Sequence, residues 1–177
     1  MNKTTKITII TVFCTILGFG YYAWQQHWII VNIPSEFVAK HCTDCSKKKV
    51  TIFYFRNKWE HEATEIVWSK EETQNAQQLV QAVLSLLTEN STTKKVTIEQ
   101  VISSYNNQYL FIFFDKSPLP KNISIHAKLM VIESILKTLR DNNIKTPNIY
   151  FLVNNQPLPD AHLDFSIAWP LQGFAKI

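Results

Sequence analysis

Three stretches of the chain carry uninterrupted strand-forming apolar residues: Val50–Phe55 (VTIFYF), Tyr109–Asp115 (YLFIFFD) and Asn148–Val153 (NIYFLV). They are too short for helices and rich in β-branched and aromatic side chains. In the second, alternation puts Tyr109, Phe111 and Phe113 on one face and Leu110, Ile112 and Phe114 on the other. Both faces are apolar, which predicts a central strand covered on both sides, or on one side by a partner. The remaining elements read as arranged around it.

Two stretches show helical periodicity. Ala76, Leu79, Val80, Val83, Leu84 and Leu87 recur at i, i+3, i+4, i+7, and Gln74, Gln77, Gln78 and Gln81 fill the opposite face. Ser69 and Glu72 read as a capping box, giving a helix over about 70–89. A second helix is capped by Asn122 or Ser124. It buries Ala127, Met130, Val131, Ser134, Ile135, Thr138 and Leu139 and exposes Lys128, Glu133, Lys137, Arg140 and Asp141. Pro147 lies just beyond its end.

Between the helices, Lys95–Tyr105 reads as a strand in which Val101 is out of phase with Val96 and Ile98, predicting a bulge near Glu99–Gln100. Asn106-Asn107 then turns the chain into Tyr109–Asp115 as a hairpin. Arg56–Glu62 is charged and reads as a loop, and Thr64–Trp68 as a short edge strand. Asn154-Asn155-Gln156-Pro157 reads as a turn, and Leu163, Phe165, Ile167 and Trp169 alternate as a closing edge strand. The order predicts an α+β domain: a mixed or antiparallel sheet with two helices packed on one face.

The N-terminus adds a membrane segment. Ile7–Trp24 contains no charge, and as a helix of 18 residues it spans about 27 Å, close to the hydrocarbon core. Lys3 and Lys6 precede it, and Tyr21, Tyr22, Trp24 and Trp28 cluster at its far end. The expectation is an N-terminal transmembrane helix in the cytoplasmic (inner) membrane, single-pass, with the N-terminus inside and the C-terminal domain extracytoplasmic. A cleaved signal peptide ending near Gly18–Gly20 is the competing reading. A lipoprotein site is disfavoured by Phe13 ahead of Cys14. All three readings export the rest of the chain. The expected division is residues 1–24 as anchor, 25–48 as juxtamembrane spacer and 49–177 as the exported domain.

Composition narrows the function. With 46% hydrophobic and 18% charged residues the chain can build a core. Its three glycines exclude a Gly-rich phosphate loop. The net charge of +4 comes from scattered cations, which does not make a nucleic-acid footprint.

Cys42 and Cys45 form a C-x-x-C beside His41. A zinc site would need a second such pair, and a thioredoxin-like site a preceding strand. A local disulfide needs only an oxidising compartment, so it ranks first, free thiols second, and metal or redox chemistry last.

The element order and several local sequences resemble the GerMN domain family, named from sporulation and germination proteins. The resemblance covers about residues 49–169. It rests on VTIFYF at 50–55, the helix at 70–89, YLFIFFDKS at 109–117, KTLRDNNIKTPNIYFLVNNQPL at 137–158 and HLDFS at 162–166. Asn155 stands where the family has a turn glycine, and Asn also tolerates positive φ. The resemblance implies an exported, membrane- or lipid-tethered bacterial module that binds or assembles in the cell envelope, with no catalytic residues to carry over.

No catalytic constellation stands against that. His27, His41, His61, His126 and His162 accompany no nucleophile elbow, and His61-Glu62 lacks the second histidine of a metalloprotease helix. Glu60, Glu62 and Glu65 could supply paired carboxylates, but a charged stretch does so by chance. Asn90-Ser91-Thr92 and Asn122-Ile123-Ser124 match the glycosylation sequon and, in a bacterial chain, mean only polar loops.

The expected function is therefore a non-enzymatic binding module, with no cofactor and no metal, for an envelope protein or a cell-wall polymer. A membrane-tethered thiol-disulfide oxidoreductase using Cys42 and Cys45 is the alternative, as is a structural subunit that forms a homo-oligomer through its sheet. Tyr109–Phe114, Val50–Phe55 and Asn148–Val153 as neighbours would leave an apolar face away from the helices. The spacer 25–48, the tail Pro170–Ile177 or a partner must cover it, which marks Phe111 and Phe113 as a binding face.

Overall fold

The computed structural model describes residues 46–88 and 95–174. The N-terminal apolar run, the spacer up to residue 45, and Cys42 and Cys45 lie outside the described residues. Among the described residues no helix is long and apolar enough to cross a membrane.

The chain opens with a long antiparallel hairpin, β1 (Ser46–Phe55) and β2 (Trp59–Trp68), with Phe55 opposite Trp59 and Ser46 opposite Trp68. Helix α1 (Glu72–Thr88) follows, then β3 (Ile98–Ser103), β4 (Tyr109–Phe114), helix α2 (Ile125–Asp141), β5 (Asn148–Val153) and the two-residue strands β6 (Gln156–Pro157) and β7 (Trp169–Pro170). β1 and β2 form a sheet of their own. The second sheet has the order β3-β4-β5-β6, with β7 also on β5. β4 and β5 run parallel, with α2 in the connection between them, and the other pairs are antiparallel. The result is α+β with two helices among the described residues.

The expected bulge is present: register shifts between Ile98 and Gln100, which lets Ile98 and Val101 both turn inward. The asparagine turns also form. Asn107 has φ 54°, and Asn154 and Asn155 have φ 52° and 61°, the double left-handed pair of a two-residue hairpin. Asn155 thus adopts the conformation a glycine would supply. Ser124 caps α2, its Oγ accepting from the Ala127 N–H at 3.1 Å. Past its end, Asn143 sits at φ 65°, and Ile144 N–H donates to Leu139 C=O.

The core lies between the helices and the inner face of the large sheet. Leu110, Ile112, Phe114, Ile149 and Phe151 from the sheet are fully buried, as are Leu79 and Val83 of α1 and Ile132, Ile135 and Leu139 of α2. Each such side chain contributes roughly 1.5–3 kcal/mol by burial. An aromatic chain continues from Phe114 through Phe151, Phe165 and Trp169 to Phe174.

Several expectations are corrected. Val50–Phe55 belongs to the hairpin sheet and is no neighbour of Tyr109–Phe114. Arg56–Glu62 is a loop only at 56–58, and strand begins at Trp59. The closing edge strand is reduced to Trp169–Pro170. Asp160 and Asp164 instead accept backbone N–H bonds from His162, Leu163 and Ser166, which folds 160–168 into turns and leaves Ile167 exposed. The capping box does not close: Asn75, not Glu72, reaches back to Ser69, exchanging hydrogen bonds of 2.8 Å with its N–H and C=O. Glu72 accepts instead from Lys145 and Thr146, fastening the link into β5.

Lys128 and Glu133, expected on a solvated face, are buried. The C-terminal segment folds over that flank of α2: Lys128 pairs with Asp160, and Glu133 accepts from Arg140 and from the Phe174 N–H. The tail up to Phe174 accordingly does not cover the helix-free face. Leu171 is buried beside α2, and its carbonyl accepts from Arg140 at 2.8 Å. Gly173, at φ 68°, lies so close to Glu133 that a Cβ there would collide with the carboxylate. Gly173→Ala is expected to cost more than about 1 kcal/mol in urea unfolding, from backbone and clash together.

Two helices also finish the sheet edges. β1 turns the N–H and C=O of Thr51 and Phe53 away from β2. Asn142, the C-cap of α2, accepts from Thr51 N–H and donates to Thr51 C=O, and Thr138 of α2 does the same for Phe53. On α1, Gln81 accepts from Ile98 N–H and donates to Val96 C=O at the start of β3. Helix side chains here stand where a neighbouring strand would, which blunts both edges.

Candidate binding face

The large sheet turns one side to the helices and leaves the other free of them. Cross-strand register sets which side chains share the free side. Ile102 of β3, Phe111 of β4 and Tyr150 of β5 lie in one row, and Gln100, Phe113 and Leu152 in the next. Tyr109 and Asn148 form the row at the other end. Phe111 and Phe113 are thus where the sequence places them, on the face opposite Leu110, Ile112 and Phe114.

These side chains are partly exposed rather than sealed. Phe111, Phe113, Tyr150 and Leu152 are half-buried, while Ile102 is 43% and Tyr109 38% exposed. Their order is supplied by ring contacts. Phe111 stacks on Tyr150 with centroids 5.2 Å apart and planes 4° apart, and Tyr109 meets the same ring at 5.7 Å. Parallel pairing of β4 with β5 holds these rings in register, so the face is a preset surface. Its polar members are few: Gln100, Asn148, whose amide donates to Gln108 C=O, and the tyrosine hydroxyls. The sequence signal was the two-faced apolar character of YLFIFFD, with Asn148–Val153 expected beside it; the error was to include Val50–Phe55, whose place in the face is taken by β3.

The other titratable candidates are not assembled into a site. His61 lies against Phe53 and His126 against Phe55, both as ring contacts on the hairpin. Glu60 and Glu62 alternate to one face of β2 and Glu65 to the other. His162 is exposed on the turn that Asp160 organises. Among the described residues no group of three metal-ligating side chains comes together. Two carboxylates are held below their ordinary range. Asp160 owes this to the hydrogen bond from Lys128, against desolvation, and Asp164 to the hydrogen bonds from Ser166. Both have structural partners, and neither lies on the aromatic face.

No family model matches the chain, and no curated protein matches it. Two solved structures are similar in chain path. One is a candidate lipoprotein from Clostridium perfringens, 18% identical, with 71% of this chain and 87% of that chain covered at a TM-score of 0.46. The other is the tandem GerMN domains of the sporulation protein GerM from Bacillus subtilis, 13% identical, with 68% of this chain and 44% of that chain covered at a TM-score of 0.45. The chain therefore spans less than half the length of the tandem protein.

Proposed function

We propose that this chain is a non-catalytic module of the cell envelope, tethered to the inner membrane through residues 7–24, whose extracytoplasmic domain binds another envelope protein through the helix-free face of its large sheet. The GerMN-like sequence pattern supports the envelope setting, and the charge-free run behind Lys3 and Lys6 supports the tether.

The observation that carries the binding reading is the half-exposed row Ile102–Phe111–Tyr150 with its neighbours Phe113 and Leu152. Leaving a few hundred Å² of such surface in water forgoes several kcal/mol at about 25 cal/mol per Å². A flat aliphatic and aromatic surface with few hydrogen-bonding groups suits a protein partner. A cell-wall polymer would call for more donors and acceptors to meet its hydroxyls and amides.

The test places a photoreactive amino acid at Tyr109, at the rim of the face, in cells producing the full chain. A discrete protein adduct is expected. It should disappear in Phe111→Lys/Phe113→Lys, whose side chains stand half-buried on the face away from the core, with far-UV circular dichroism unchanged. An adduct to polymer alone, or a protein adduct unaffected by the double substitution in the folded chain, would overturn the reading.

A further inference from the structure

The hairpin sheet has a second open surface, independent of the aromatic face. β1 and β2 pair only with each other, and the far edge of β1 is closed by Thr138 and Asn142. The far edge of β2 is treated differently. Thr51 and Phe53 turn their main-chain groups away from β2, so the residues opposite them, Ala63 and His61, turn theirs away from β1, as does Glu65 opposite Lys49. Among the described residues one side chain reaches this edge: Gln78 donates to Val67 C=O at 2.7 Å. From Trp59 to Glu65 no hydrogen bond from another described residue closes the edge.

The side chains on this edge follow an order that reads the same against itself. Trp59, His61, Ala63, Glu65 and Val67 share one face, and all five are exposed. Set antiparallel to a second copy about Ala63, Trp59 meets Val67, His61 meets Glu65 and Ala63 meets Ala63. The two large apolar side chains, 41% and 47% exposed, cover each other, and the imidazole faces a carboxylate on both sides of the two-fold axis. On the opposite face Glu62 would meet Thr64, and Glu60 would meet Ile66, so no two carboxylates are opposed. Other registers are worse. Centring on Glu62 or Glu65 sets a carboxylate against itself, centring on His61 sets imidazole against imidazole, and centring on Thr64 sets His61 against Val67 and Glu65 against Ala63, so that neither meets a counter-charge.

We infer that β2 is a homodimerisation edge: two copies of this chain join their hairpins into one four-stranded antiparallel sheet, in the register centred on Ala63. The three outward-facing residues of each copy, His61, Ala63 and Glu65, would supply about six backbone hydrogen bonds across the axis. An isologous contact of this kind closes after two copies. It also leaves the Phe111–Tyr150 face free on each.

The test uses cells producing the full chain with Cys14, Cys42 and Cys45 replaced by Ser. Ala63→Cys in that background, treated with a short bismaleimide, is expected to give a covalent dimer, whereas Lys121→Cys on an exposed loop gives none. Adding His61→Glu to Ala63→Cys should cut the dimer yield about tenfold, because it opposes carboxylates twice. Adding His61→Glu with Glu65→Lys should restore the yield, because the charges again match. A monomer throughout for folded Ala63→Cys, an undiminished dimer with His61→Glu, or no recovery in the double exchange would overturn the pairing. Light scattering of the unsubstituted chain in detergent gives a check free of the cysteine: a two-copy mass supports the inference, and a one-copy mass at every concentration overturns it.

Discussion

Replacing Asp160 with Ala lowers the free energy of unfolding by about 3–5 kcal/mol, the cost of removing one partner from a buried ion pair. Lys128 is 3% exposed, and its ammonium lies 2.5 Å from the Asp160 carboxylate. That carboxylate also accepts from His162 and Leu163 N–H, so its removal strands a buried cation and loosens the turn over α2. Asp160→Asn keeps an acceptor for the turn but faces the Lys128 ammonium with an amide NH2, so it loses the ion pair and its hydrogen bond while sparing the turn, and its loss should be smaller than that of Asp160→Ala. Urea unfolding of the three proteins separates the cases. Equal midpoints for all three would mean that the pair contributes nothing.

The pH dependence has a definite sign. Asp160 is held below its ordinary range in the folded chain, chiefly by the Lys128 hydrogen bond. Its contribution is therefore complete above the unfolded carboxylate value of about 3.9 and is lost as pH falls through the lower folded value. The stability gap between the unsubstituted chain and Asp160→Asn should be constant at neutral pH and narrow below about pH 4.

The second large effect is expected from Thr138→Val/Asn142→Leu. These isosteric changes keep the volume against β1 and remove every partner of the N–H and C=O groups of Thr51 and Phe53. An unsatisfied buried group costs about 1–3 kcal/mol. Water can reach part of this edge, so the double variant should lose about 3–4 kcal/mol in total rather than the full sum. Hydrogen exchange provides the specific readout: the amides of Thr51 and Phe53 should lose protection, while that of Ile52, which faces β2, should keep most of it. Uniform acceleration of all three would place the effect elsewhere.

Much of the fold was legible because its signals are local. Period-2 and period-3.6 patterns marked β1, β4, β5 and both helices, a phase slip between Ile98 and Val101 marked the bulge, and asparagines marked the positive-φ turns. β2 was read short because half of it faces water: Glu60, Glu62 and Glu65 break the apolar run in a strand whose partner covers only one edge. Leu163–Trp169 misled in the opposite way. Its alternation has the period of a strand, but Asp160 and Asp164 capture the local N–H groups first. Lys128 and Glu133 looked solvated because the groups that satisfy them, Asp160 and Phe174, lie 32 and 41 residues further on. The helix-free face was legible at Phe111 and Phe113, but the row that sets Ile102 and Tyr150 beside Phe111 was not, since register across a sheet is set by topology.

The helix side chains that close the edge of β1 also bear on when the domain can form. The bonds of Thr51 to Asn142 and of Phe53 to Thr138 join residues 91 and 85 apart in sequence. During synthesis the hairpin is complete by Trp68, yet its inner edge stays open until the second half of α2 has emerged. Contacts of such long range close slowly, because loop entropy must be met before they form. Until then, a nascent chain presents two bare strand edges instead of one. Folding of this domain is thus a late event in the life of each molecule, and any fragment ending ahead of residue 138 carries an adhesive hairpin without the two side chains that close its inner edge.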